Sequence, residues 1–103
     1  MKVWLDDVRT EPAGWIRART ASEAIAFLEA GGVDEISLDH DLEPAHYEGK
    51  FDARTGIAVA YWIRDRVRDD PNFARPIVRI HSMNPVGATH IRAIIAEAYG
   101  ERR

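Results

Sequence analysis

ISLDHDLEP, residues 36–44, decides the reading of the fold. It opens with apolar, β-favouring residues and then sets Asp39, His40 and Asp41 side by side. The same design occurs in KVWLDDVR (2–9), where Asp6 and Asp7 close an apolar run, and in PIVRIHSMNP (76–85), which runs into His81 and Ser82. Apolar runs that end in titratable groups imply strands of one sheet. Their polar ends converge on one edge, and that edge is expected to handle phosphate.

The bulk composition sets the bounds. A chain of 103 residues with 46% hydrophobic content is expected to form a single globular domain, residues 1–103, with one core. No apolar run reaches the ~20 residues that a membrane helix needs. Met1 is followed at once by a strand-like segment, so no signal peptide is expected. With Cys 0 there is neither a disulfide framework nor a thiolate metal site, and the cytoplasm is the default location. A net charge of −3 argues against an extended nucleic-acid-binding surface, which relies on clustered positive charge. It leaves room for action on a nucleotide or a nucleic-acid end. The terminal GERR reads as a frayed tail.

Along the chain, 2–6 reads as a strand and 7–14 as a loop punctuated by Pro12 and Gly14. Residues 15–19 read as a second, short strand. TASE then opens a helix, with Thr20 as cap and Glu23 completing a capping box. Ala21, Ala24, Ile25 and Leu28 form its apolar stripe, and Gly31-Gly32 ends it. A strand at 35–39 follows. Residues 43–55 lack periodicity and read as a functional loop. A helix over about 55–69 buries Val59, Ala60, Ile63 and Val67, and a strand covers 76–82. Asn84-Pro85 suits the cap and first turn of a last helix carrying Ile91, Ile94, Ile95 and Ala98. Strand–helix alternation implies a parallel sheet with right-handed crossovers. Ligands of such sheets bind beyond the carboxyl ends of the strands, where the acids and histidines sit.

The candidate groups have definite chemistry. Asp6, Asp7, Asp39 and Asp41 suit a hard cation such as Mg²⁺ or Mn²⁺, although one or two of them would serve as caps or solvated loop residues. Converging carboxylates repel unless a cation or proton lies between them. His40 and His81 flank strand ends and could act as a base and acid pair about a phosphate; equally, one could be packed and the other solvated. Ser82 and Asn84 stand where a strand meets a helix N-terminus, which suits anion binding. Arg9 could grip phosphate oxygens or pair internally with Asp7 or Glu11. Lys50 and Arg54 lie in the long loop, and His46 and His90 read as surface residues. Trp4, Trp15, Trp62 and Tyr61 read as full or partial core, with base stacking open to Trp15.

Asp6-Asp7, Asp39, Ser82 and Thr55-Gly56-Ile57 resemble the receiver domain of two-component response regulators. That resemblance implies a metal held by Asp6, Asp7 and Asp39, with Asp39 phosphorylated and Ser82 as hydroxyl partner. The chain departs from that pattern. DVRTEPAG stands in place of the first helix, and the fifth strand and the lysine after it are missing. LDDVRTEP, SLDHDL, TGIAVAYWI and HSMNPVG more closely resemble the cyclic-phosphate processing branch of the receiver superfamily, over nearly the whole chain.

The resulting expectation is a compact, receiver-like three-layer α/β domain. It has a parallel four-stranded sheet in the order 2-1-3-4, with helices on both faces. The resemblance implies a phosphoesterase that opens a cyclic phosphate, most plausibly a 2′,3′-cyclic one on a nucleotide or RNA end. Arg9, Ser82 and Asn84 would bind phosphate, with His40, His81 and Asp39 catalytic. Asp6, Asp7, Asp39 and Asp41 would hold Mg²⁺ or Mn²⁺, or in a metal-free variant would orient the histidines. The alternatives are a phosphoacceptor signalling domain using Asp39, and a non-catalytic module that binds a cyclic nucleotide.

Overall fold

The computed structural model describes residues 1–39, 56–81 and 85–100. His40, Asp41, Ser82, Asn84 and the segment 43–55 lie outside the described residues. The strands are β1 (Lys2–Leu5), β2 (Trp15–Ala18), β3 (Glu35–Leu38) and β4 (Ile77–Ile80). The helices are α1 (Ala21–Ala30), α2 (Gly56–Asp69) and α3 (Pro85–Ala98). All strand pairs are parallel and the order is β2-β1-β3-β4, as the sequence implies. β4 is shorter than the 76–82 expected.

Local chemistry sets the ends of α1. The Glu23 N–H donates to Thr20 Oγ1 at 3.1 Å, so Thr20 caps the helix. Glu23 turns back, but Oε1 accepts from the Arg19 N–H, one residue before the cap residue. At the other end Gly31 has φ +89°, a conformation that favours glycine, and its N–H donates to the Leu28 carbonyl.

The layer arrangement follows from handedness. The chain steps one way from β1 to β2, then the other way from β2 over β1 to β3 and on to β4. Right-handed crossovers that run in opposite directions lie on opposite faces of a sheet. The two later crossovers carry α1 and α2, which therefore share a face. α3 packs along α2 and joins the same layer. Val3, Leu5, Ile36 and Leu38 point into that layer and form one core with Ala24, Leu28, Ile57, Val59, Ile63 and Ile91. The connection that belongs on the other face is the one from β1 to β2, and residues 6–14 contain no helix.

The expected arrangement of helices on both faces is therefore not made by the described helices, all of which lie on one. The opposite face carries the alternate residues, among them Trp4, Arg17, Glu35, Ser37 and Arg79. It covers itself with side chains. Trp15 meets Trp4 edge-on at 5.9 Å, and Glu35 is buried between Lys2 and an ion pair with Arg79.

Gly56 ties the helical layer to the end of β3. A Cβ there would fall inside van der Waals contact of the Asp39 carbonyl oxygen and 3.2 Å from its carbon. The obstacle is backbone, so it cannot swing away. Gly56→Ala should therefore destabilise the protein by about 1–3 kcal/mol. A urea unfolding midpoint equal to that of the parent protein would show that α2 does not bear on Asp39.

Candidate active site at the carboxyl ends of β1, β3 and β4

Asp6 lies just beyond β1 and is 1% exposed. Its Oδ1 accepts the N–H groups of Val8 and Arg9, each at 2.8 Å, which turns the chain sharply after the strand. Its backbone is also fixed. The Asp6 N–H donates to the Ala18 carbonyl at 3.0 Å, and Arg17 Nε donates to the Asp6 carbonyl at 3.0 Å. That leaves Oδ2 to face the ring of His81, which follows β4. The distance from His81 Nε2 to Asp6 Oδ2 is 3.1 Å.

Burial pushes the Asp6 carboxyl up, but the backbone N–H groups of Arg9 and Val8, together with His81, outweigh it. The net effect holds Asp6 below its ordinary 3.8. An ionised carboxylate only accepts, so Nε2 must carry the ring proton. Nδ1 then has a free lone pair, and Ser37 Oγ lies 2.7 Å from it and donates. Burial holds His81 below its ordinary 6.5, against the pull of Asp6. The ring is therefore neutral at pH 7, in the Nε2–H tautomer. Trp4 stacks on it at 3.8 Å with planes 7° apart.

Arg9 reaches across the site. Its Nη1 donates to the His81 carbonyl at 2.9 Å and its Nε lies 3.9 Å from Asp6 Oδ2. The internal pairing weighed for Arg9 is thus made with Asp6, rather than with Asp7 or Glu11. The Arg9 side chain is still 43% exposed, so its remaining N–H groups can meet an anion. The N-terminus of α3 opens four residues after His81, and neither α2 nor α3 has an acidic residue in its first turn. The positive ends of both helix dipoles are therefore not offset by acids of their own first turns.

Asp39 lies just beyond β3 and is 9% exposed. Asp6, Asp39 and His81 can each offer one ligand atom, all within 4.8 Å of one another. Two carboxylates and an imidazole suit Mn²⁺ or another transition ion better than Mg²⁺, which prefers an all-oxygen shell. Asp7 is buried but is not in that group. His90 is exposed on α3. His40, Asp41, Ser82 and Asn84 are outside the described residues.

Sequence reasoning missed Ser37 and Trp4. The signal was available in the period-2 alternation of strands. Trp4 and Asp6 lie two apart, as do Ser37 and Asp39, and as do Arg79 and His81. In the observed register these pairs stand on one face.

Two measurements check this arrangement. Because folding holds His81 below 6.5, the unfolded chain binds more protons between the folded value and 6.5. Stability should therefore fall as pH drops through 6.5, with Asp6 adding a loss of the same sign below 3.8. Urea unfolding between pH 7.5 and 5 should show this decline in the parent protein and a flatter profile in His81→Gln. Superimposable profiles would mean that His81 is not held neutral. In ¹⁵N NMR, the His81 ring should report the Nε2–H tautomer, and Ser37→Ala should mix the tautomers; an unchanged spectrum would remove Ser37 from this role.

The comparisons with known proteins agree with this architecture. No curated protein and no solved structure matched the chain. A family model did, and it describes a cyclic-phosphate processing receiver domain. The match runs over residues 1–97 and so takes in every strand and helix that brings Asp6, Asp39 and His81 together. By that match, the chain belongs to the family of cyclic-phosphate processing receiver domains.

Proposed function

We propose that the protein is a hydrolase that opens a cyclic phosphate, a 2′,3′-cyclic one on a nucleotide or at an RNA end. The observation that carries this reading is the Asp6–His81 pair with Arg9 beside it, on a chain that opens α3 four residues after His81. Arg9 and the start of α3, with Ser82 and Asn84, receive the phosphate anion. Water attacks phosphorus, and one ring P–O bond breaks. The leaving ribose oxygen takes up the proton that the attacking water gave to the base, relayed through the Ser37 hydroxyl and Nδ1 of His81, so that the ring ends neutral as it began, with its Nε2–H still on Asp6. The proton of the attacking water passes to His40 or Asp39. Asp6 keeps the ring oriented throughout.

A divalent cation, Mg²⁺ or Mn²⁺, would be held by Asp6 and Asp39, with Asp41 a further candidate ligand, and would neutralise charge on the phosphate oxygens. If His81 instead joins that shell, the metal occupies a ring nitrogen and the ring cannot also carry the proton of the reaction. The metal-dependent and metal-free forms therefore assign His81 different work, and a chelator distinguishes them.

A second reading is favoured by Asp39, a carboxylate at a strand end beside Asp6. There it would accept a phosphoryl group as a signalling domain. A phosphate adduct in intact mass after treatment with a small phosphodonor and Mg²⁺, lost in Asp39→Asn, would support that reading.

The hydrolase reading is tested with a short RNA ending in a 2′,3′-cyclic phosphate, with Mg²⁺, Mn²⁺ or EDTA. Mass spectrometry should show the gain of one water. His81→Ala should slow the reaction by about 10²–10⁴ if the ring moves a proton. Unchanged RNA under every condition would exclude this substrate, and a loss below tenfold would remove His81 from the chemistry.

A further inference from the structure

A cleft of about 830 Å³ runs along the free edge of β4 and ends at the candidate site. Among the described residues no strand pairs with the outer side of β4 in the sheet order β2-β1-β3-β4, which leaves this side open to α3. One wall is the 92, 95, 96 face of α3, continued by Tyr99 just beyond it, and the other is β4 itself with the residues flanking it. The Tyr99 hydroxyl donates to the Pro76 carbonyl at 2.6 Å and pins the far end. His81 lines the near end.

The charge of this cleft differs from that of the chain. The protein has a net charge of −3, yet Arg75, Arg79 and Arg92 line the cleft and no Asp or Glu does among the described residues. Arg79 is matched by Glu35 from the open sheet face. Arg75 lies over the Tyr99 ring, 5.4 Å from its centroid, and among the described residues no carboxylate pairs with Arg75 or Arg92. Charge on an edge strand can serve to repel other strands. That explains Arg79 but not Arg92, which stands on a helix. From Arg75 to His81 the chain rises roughly 20 Å at ~3.3 Å per residue. That is long enough for a few linked phosphates and far longer than one nucleotide requires.

We propose that this cleft binds the sugar–phosphate backbone upstream of the cyclic phosphate, so that the substrate is the end of an RNA strand rather than a free cyclic nucleotide. Arg75 and Arg92 meet backbone phosphates, while the terminal group lies at His81 and Arg9. The proposal deepens the hydrolase reading and rests on it only for the chemistry at the terminal group. The contacts are to phosphate, so binding is independent of base sequence.

The test measures binding of three probes: an RNA of about six nucleotides ending in a 2′,3′-cyclic phosphate, the same RNA ending in a 3′-hydroxyl, and a cyclic mononucleotide. Arg75→Ala/Arg92→Ala should weaken both RNAs about tenfold, make their salt dependence shallower by about one unit of slope, and leave the mononucleotide unchanged. Arg92→Lys should retain most of the affinity, and Arg92→Glu should lose more than Arg92→Ala. Circular dichroism checks that each variant is folded.

Equal losses for RNA and mononucleotide, or an RNA that binds no tighter than the mononucleotide, would overturn the proposal. So would RNA binding that ignores these arginines while they control self-association in sedimentation, because the edge would then be a protein contact. Arginine-dependent binding of both RNAs without any hydrolysis would support the cleft and sink the hydrolase reading. Hydrolysis of RNA and mononucleotide alike, with the arginines irrelevant, would do the reverse.

Discussion

The Asp6 carboxylate is the interaction on which the rest of the site depends. A buried ion is costly unless every lone pair is met. Here Oδ1 takes two backbone N–H groups of the following turn, and Oδ2 faces His81, with Arg9 farther off. These partners come from two parts of the chain, the turn after β1 and the end of β4. The turn directs Arg9 back across the sheet, and Arg9 in turn holds the His81 carbonyl. One charge thus joins the end of β1, the β1–β2 connection and the end of β4. The side chains of the site are pre-positioned by a network that must be complete to be stable.

Handedness explains why this network stands on a sheet face that none of the described helices covers. Two crossovers in one direction place α1 and α2 on the same side, and α3 follows them. The reverse step, from β1 to β2, has no helix to lay over the other face. That face is covered instead by a row of rings, Trp15 against Trp4 and Trp4 against His81. The small side chain of Ser37, on the strand between them, leaves room for the Trp4 and His81 rings to meet above it and supplies the hydroxyl at Nδ1. His81 is thereby a packing element and a titratable group at once, which is why burial holds it neutral.

The position of β4 at the end of the described sheet has a similar double effect. It leaves an edge, and the edge together with α3 makes the cationic cleft. In a chain with more acids than bases, that cleft concentrates positive charge next to the candidate site. A field of this kind raises the local concentration of anions where the chemistry is proposed.

The sequence by itself determined the local facts. Apolar runs with β-favouring residues set the strands, and Thr20 and Gly31 bounded the first helix. Alternation of strands and helices implied a parallel sheet, and the polar residues closing the apolar runs marked the edge where Asp6, Asp39 and His81 come together. These features rest on contacts within a few residues, so they are written in the order of the chain. Only the tertiary structure decided what His81 touches and what covers the sheet. Ser37 and His81 are 44 residues apart, and Asp6 and His81 are 75 apart. Which of them meet is fixed by strand register, and which face the helices take is fixed by crossover direction. Both are properties of the whole sheet, and no local pattern in this chain encodes them.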